Sequence, residues 1–277
     1  MSDLFKERQA KLQETLRERG LIGFLVTQNV DIYYYCGSMQ MGYLFIPAEG
    51  EAVYMVRRSV QRAEEEAAAI VEALGSMKTM KDRLAARCAG LQAEAAPGSV
   101  RLATELDVLP VQLFQRLQAA FPDAAWEDGA LLIREQRMIK SPPEVAAIRE
   151  AARVVDAALE AVIPSIREGM AEFELMALIE HQLRLRGHQG LMRMRAYNSE
   201  LITGMVASGA SAAVPTYFDG RPGAGAPPVQ PAKLRPRLDP ARRADSRRSG
   251  LHDRRLCHRS DAHAGDRRSR TGAAAGV

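Results

Sequence analysis

The chain has 277 residues, 47% of them apolar, a formal net charge of +4 and three cysteines, Cys36, Cys88 and Cys257. That is enough apolar material for a buried core in one large or two ordinary domains, and the odd, scattered cysteines exclude a disulfide framework or zinc knuckle and fit a reducing cytoplasm. The basic excess is local: Pro231–Val277 holds thirteen Lys and Arg against five Asp, about +8, leaving residues 1–230 at −4, so charge gives no reason to assign the folded part a nucleic-acid partner.

The first residues (Asp3, Lys6, Glu7, Arg8) are charged rather than signal-like. No apolar run reaches the roughly 18 residues that would span a bilayer, so no membrane partner is expected. Ser2 or Asp3 can cap a first helix that carries Phe5, Leu12 and Leu16 on one side and stops at Gly20. Three short apolar runs, Gly23–Thr27, Gly42–Ile46 and Ala52–Val56, are predicted as neighbouring strands, the last two joined by a turn over Pro47–Gly50. Helices are predicted over Ser59–Leu74, Lys81–Leu91 and Val108–Ala120, with an extended segment at Val100–Thr104. Strands alternating with helices indicate an α/β domain.

A domain boundary is expected near Arg137. Ser141-Pro142-Pro143-Glu144 is a capping-box start, and the helix it opens places Val145, Ile148, Ala152, Val155, Leu159 and Val162 on one stripe until Pro164. A further helix, Ala171–Arg186, is predicted to turn Phe173, Met176, Ile179 and Leu183 inward and to stop at Gly187, with a strand over Leu201–Ala207 after it.

The run Arg137-Met138-Ile139-Lys140-Ser141-Pro142-Pro143-Glu144 with Ile148-Arg149 and Ala151-Ala152 resembles the segment joining the two domains of creatinase, prolidase and aminopeptidase P. Glu168-Gly169-Met170-Ala171-Glu172-Phe173-Glu174 with Leu178, and Val206-Ala207-Ser208-Gly209 through Ala213-Val214-Pro215, are similar to the next landmarks of that family's catalytic half. Asn29–Gly37 resembles its asparagine-to-tyrosine-glycine turn. The resemblance implies an α/β creatinase-type amino-terminal domain, residues 1–137, and an α+β pita-bread catalytic domain, present only as its start over residues 138–225. The Arg-rich tail, residues 226–277, is expected to be disordered, because so few large apolar residues cannot offset chain entropy. The intact family implies a homodimeric hydrolase of peptide substrates, of the Xaa-Pro type. There, two divalent ions (Mn, Co or Zn) on two Asp, one His and two Glu activate a bridging water.

The first ligand pair of that family, Val-Asp, then Gly-Tyr, then Asp-x-Thr-Arg with aspartates eleven positions apart, is absent after Gly220, and the other ligand positions would fall after residue 277. No metal-bound cofactor and no catalytic residue are therefore expected on this chain. The missing motif reappears one nucleotide out of frame. Codons built from the last two bases of one triplet and the first of the next can encode both aspartates, across Arg248/Ser249 and Arg259/Ser260, with Gly-Tyr between them. The shift would begin between Gly220 and Asp239.

Thr216-Tyr217 stands where Xaa-Pro-cleaving relatives often carry Pro-His, so Thr216 and Tyr217 are the candidate substrate-binding residues and creatinase-like C–N hydrolysis stays open. The alternative from another class is a non-catalytic dimerisation or partner-binding protein. His181 and His188, with only Glu180 close by, read as surface or polar packing residues rather than ligands. Glu172 and Glu174 read as acids at a helix start. Tyr33, Tyr34 and Tyr35 divide between core and interface and do not make a base-stacking platform. The tail would bind polyanions only loosely and in a salt-dependent way.

Overall fold

A computed structural model describes residues 2–91, 96, 98–190, 195 and 206. It divides into two compact units, Met1–Ile139 and Lys140–Val277. The first begins with helix α1 (Ser2–Glu18), which buries Leu12 and Leu16 and ends where Gly20 adopts a positive φ of 65°. Strand β1 (Gly23–Val26) leads into helix α2 (Asn29–Cys36), then strands β2 (Gly42–Pro47) and β3 (Val53–Val56). Helix α3 (Val60–Glu66), strand β4 (Ile70–Ala73), helix α4 (Met80–Ala85), strand β5 (Val100–Thr104), helix α5 (Val111–Ala120), strand β6 (Ala124–Asp128) and helix α6 (Ala130–Met138) complete the unit.

The strands form one mixed sheet in the order β4-β3-β2-β1-β5-β6. The β1–β2 and β2–β3 pairs are antiparallel, while β1–β5, β3–β4 and β5–β6 are parallel. Period-two alternation splits the core between two faces. Phe24, Val26, Leu44, Ile46, Tyr54 and Val56 pack with residues of α1, α2 and α6 on one face. Leu25, Phe45, Val53, Met55, Val100 and Leu102 pack with residues of α4 and α5 on the other. Strands covered on both faces read as continuous apolar runs, which is why β1, β2 and β3 were legible.

Three expectations for the first unit are corrected. Ser59–Leu74 is not one helix: α3 stops at Glu66, Ala67 turns extended (ψ 135°), and Ile70–Ala73 pairs with β3. The β-branched Ile70 and Val71 gain a ladder there, and that tertiary gain overrides the helical propensity of the Ala/Glu run. Asn29–Gly37 is not a turn but the two-turn helix α2, closed by Gly37 at φ 82° with its N–H donating to Tyr33 O at 2.8 Å. Lys81–Leu91 breaks into α4 and a separate 3-10 turn at Ala89–Leu91. Both β6 and α6, unforeseen, lie between residues 121 and 139. Edge strand β6 is half-buried and carries no clean alternation.

At the outer edge of the sheet, Arg83 closes β4. It donates to the Glu72 carboxylate at 2.6 Å and to the Leu74 carbonyl at 3.0 Å.

In the second unit, helix α7 (Pro142–Val162) starts at a capping box, where the Glu144 carboxylate accepts from the Ser141 backbone N–H at 2.8 Å and its hydroxyl at 2.6 Å. Ala158 and Val162 are buried, whereas Val145, Ile148, Ala152, Val155 and Leu159 are half-buried. Helix α8 (Glu172–Leu185) buries Leu175 and Leu183 but leaves Phe173 61% exposed, against expectation. Two helical positions separate Phe173 from Leu175, about 200° of rotation, so only one of them can face the Val162–Met170 cluster. The strand expected over Leu201–Ala207 lies outside the described residues apart from Val206, as does the whole tail.

One close approach fixes how α6 leaves the sheet. A Cβ on Gly129 would sit 2.2 Å from the Phe24 ring and 3.0 Å from the Ala103 Cβ, and Phe24 has no exposed surface into which to retreat. Gly129→Ala is expected to lower stability by about 1–3 kcal/mol, read as a lower urea midpoint; an unchanged midpoint would mean the contact relaxes without cost.

Candidate functional site

Strands β1 and β5 are parallel neighbours whose chains part at their carboxyl ends. After β1 the chain enters α2, whose Ile32 and Tyr35 belong to one core face; after β5 it reaches α5, whose Leu117 and Ala120 belong to the other. Such a divergence is where open α/β sheets form a crevice for ligands. Here the chain's own carboxylate fills it. Glu105, fully buried, accepts at Oε2 from Thr27 N and Thr27 Oγ1, both at 2.7 Å, and from Gln28 N at 3.1 Å. Gln28 caps α2 without using its own side chain, so the Glu105 carboxyl oxygen takes up amides that open the helix.

A second acid stands beside it. Asp31, in the first turn of α2 and with no exposed surface, accepts from Arg137 of α6 at 2.6 Å. The Arg137 guanidinium also approaches the Tyr34 ring, 5.7 Å from its centroid, and Arg8 of α1 stacks on that ring at 4.0 Å. Arg8 donates to the Tyr34 carbonyl, Tyr35 Oη donates to Gln136, and Gln136 in turn donates to the Arg8 carbonyl. This polar belt joins α1, α2 and α6 around the end of β5. Burial raises the Glu105 carboxyl to about 7, opposed by the Thr27 hydrogen bond and reinforced by the Asp31 charge, and burial also drives the Tyr35 phenol well up. Neither acid is open to solvent, so the cluster organises α2 and presents no reacting group.

What α2 presents outward is apolar. Tyr33 is 54% exposed, and Met39 and Met41 stand out from the loop that follows. An open groove of about 810 Å³ lies beside them, lined by Phe5, Tyr33, Met39, Gln40, Arg62 and Glu66 among others. Glu66 in its lining accepts from the buried Ser38 hydroxyl at 2.8 Å.

The substrate-binding candidates Thr216 and Tyr217 lie outside the described residues. His181 is exposed, and His188 Nδ1 accepts from Gly190 N at 3.0 Å, a local turn contact. Glu174 pairs with Arg167. Among the described residues no three His, Cys, Asp or Glu side chains come together in a way that could hold a metal ion. Glu105 carries no motif in the sequence, and Asp31 and Arg137 stand there only inside stretches that resemble the family. A lone acid at a strand end has no spacing partner to announce it.

Two adjacent family models account for most of the chain. The creatinase/prolidase N-terminal domain matches residues 8–139, and metallopeptidase family M24 matches residues 146–233. The chain belongs to the creatinase/prolidase family. Within it, an Xaa-Pro dipeptidase of Pyrococcus horikoshii is 26% identical over 187 residues, 67% of this chain and 50% of that protein. Creatinase of a Bacillus species (strain B-0618) is 35% identical over 77 residues, 28% of this chain and 19% of that protein. Among solved structures, the Bacillus anthracis Xaa-Pro dipeptidase superposes with a TM-score of 0.57 at 24% identity, covering 67% of this chain and 50% of that one. The Pyrococcus horikoshii prolidase superposes at 0.55 and 23%, covering 72% and 58%. These likenesses establish a creatinase-type α/β domain followed by part of an M24 domain. The chain spans about half the length of the curated dipeptidase it matches. Among the described residues, no helix is long and apolar enough to cross a membrane.

Breaking the Asp31–Arg137 pair tests whether the belt carries the family's first domain. Arg137→Ala removes a cation from a buried carboxylate and is expected to cost about 3 kcal/mol, whereas the double change Asp31→Leu with Arg137→Met should regain most of it. Additive losses in the double variant would show that the two side chains act separately.

Proposed function

We propose that this chain derives from a metal-dependent peptidase that cleaves Xaa-Pro bonds, and that the 277-residue polypeptide itself does not turn substrate over because its first metal-ligand pair is encoded one nucleotide out of frame. The observation that carries the reading is a spacing. In the shifted frame the Arg248/Ser249 and Arg259/Ser260 junctions can both encode Asp, eleven positions apart, and Arg255/Leu256 with Leu256/Cys257 can encode Gly-Tyr between them. The middle G of each Arg codon becomes the first base that Val, Asp and Gly codons share, so an Arg-rich stretch is what such a shift leaves behind. The end of the M24 match at residue 233, inside the interval assigned to the shift, agrees with this. The segmentation that follows is a first domain to about residue 137, the start of the catalytic domain to about 225, and an out-of-frame tail from 226.

The intact protein would work on peptide substrates as a homodimer with two divalent ions (Mn, Co or Zn). Carboxylates suit that task because they hold hard ions while leaving a position for water. The free, buried Cys36 and Cys88 accord with a reducing cytoplasm. A second reading, creatinase-like C–N hydrolysis, draws on Thr216 in place of the histidine of Xaa-Pro-cleaving relatives and on the 35% match to a creatinase.

Deleting one nucleotide between codons 220 and 239 should yield a product that takes up divalent ions and hydrolyses a proline dipeptide, with creatine as the competing substrate. The 277-residue chain should do neither. A gene whose shifted frame does not encode Asp at both junctions, or manganese-stimulated turnover by the unaltered chain, overturns the proposal.

A further inference from the structure

The Glu105 carboxyl is unevenly satisfied. Three donors converge on Oε2, from Thr27 N, Thr27 Oγ1 and Gln28 N. Oε1 is sealed from solvent and receives no hydrogen bond. Asp31 is also fully buried, and its Oδ1 is engaged by Arg137. Two buried carboxyl groups thus stand near each other at the start of α2, one paired with a guanidinium and the other with an oxygen that no described donor reaches. Among the described contacts, the other charged or titratable groups near them are Tyr35 and Tyr34 of α2 and Arg8 of α1. The Tyr35 hydroxyl is turned to Gln136 and the Arg8 guanidinium to the Tyr34 ring and carbonyl. An ionised carboxylate buried with one oxygen out of reach of any described donor is expensive; one bound proton removes that charge and turns the orphan acceptor into a donor.

We propose that Glu105 and Asp31 hold one proton between them, carried on Glu105 Oε1 and shared toward Asp31, and that this pair is a proton-linked latch joining the end of β5 to the start of α2. Protonated, both oxygens of Glu105 are satisfied and α2 is locked. Deprotonated, a second buried charge is added beneath the helix that carries Tyr33 and leads to Met39 and Met41, so the loosening falls on the groove. The direction follows from linkage. The folded-state value of Glu105 is raised to about 7 from 4.5, so the stability associated with its proton is complete below about 4.5 and is lost as pH rises toward 7.

The test is urea unfolding of the full chain from pH 5 to pH 8, comparing the unaltered protein with Glu105→Gln, in which an amide N–H₂ stands in for the protonated oxygen. The unfolding constant of the unaltered protein should rise across this window relative to that of Glu105→Gln, by on the order of a hundredfold. Parallel pH profiles would overturn the latch, since an ordinary ionised cap would give a constant offset. Should Glu105→Gln fail to fold, the ¹³C carboxyl resonance of Glu105 in the unaltered chain decides. A titration midpoint near neutrality supports the shared proton, and one in the usual carboxylate range refutes it.

Discussion

Desolvation of two acids at the end of β5 is the constraint around which the first unit is arranged. A buried carboxyl must find donors or a counter-charge, and these two find them on different elements: Glu105 on Thr27 and the backbone entering α2, and Asp31 on the guanidinium of α6. The strand order makes the place available, since β1 and β5 send their chains to opposite faces. What other α/β proteins leave open for a ligand is here filled by Glu105, and the helix start that could bind an anion already donates to its carboxyl oxygen. The first domain is therefore a self-contained scaffold whose polar centre serves position rather than reaction.

Much of that scaffold was legible in the sequence, for identifiable reasons. Strands buried on both faces announce themselves by composition, so Gly23–Val26, Gly42–Pro47 and Val100–Thr104 were found almost to the residue. Caps announce themselves by chemistry, and the Ser141–Glu144 box opens α7 as read. The failures share a cause. Ile70–Ala73 is a strand because β3 lies beside it, and Asn29–Cys36 is a helix because Glu105, 69 positions after its last residue, supplies its missing cap. Phase errors behave similarly: a 3.6-residue pattern gives a stripe, but Phe173 and Leu175 both look apolar, and packing against Val162 and Met170 chooses between them.

The candidate site was less legible than the fold. The family's chemistry rests on acids brought together from several segments, and among the described residues no such gathering occurs. The acids that do meet, Glu105 and Asp31, are separated by 74 positions and belong to no spacing rule. Their partner Arg137 was noticed as part of a domain-joining motif. Its role comes from lying at the end of α6, where the last turn of the first unit returns to α2, so a residue that marks a boundary in sequence is also a clamp in space.

The two margins of the sheet differ in a way that bears on self-association. At the end of β4 the guanidinium of Arg83 occupies the Ala73 and Leu74 carbonyls, and Glu72 is additionally held by Arg87 at 2.6 Å. At β6 the ion pair is instead Arg101 with Glu127, between side chains more than 40% exposed, and the Ala124–Ala125–Trp126 backbone has no guanidinium across it among the described contacts. An incoming extended peptide would therefore meet a charged gate on one side and an ungated ladder on the other, giving any edge-to-edge growth of this molecule a single polarity.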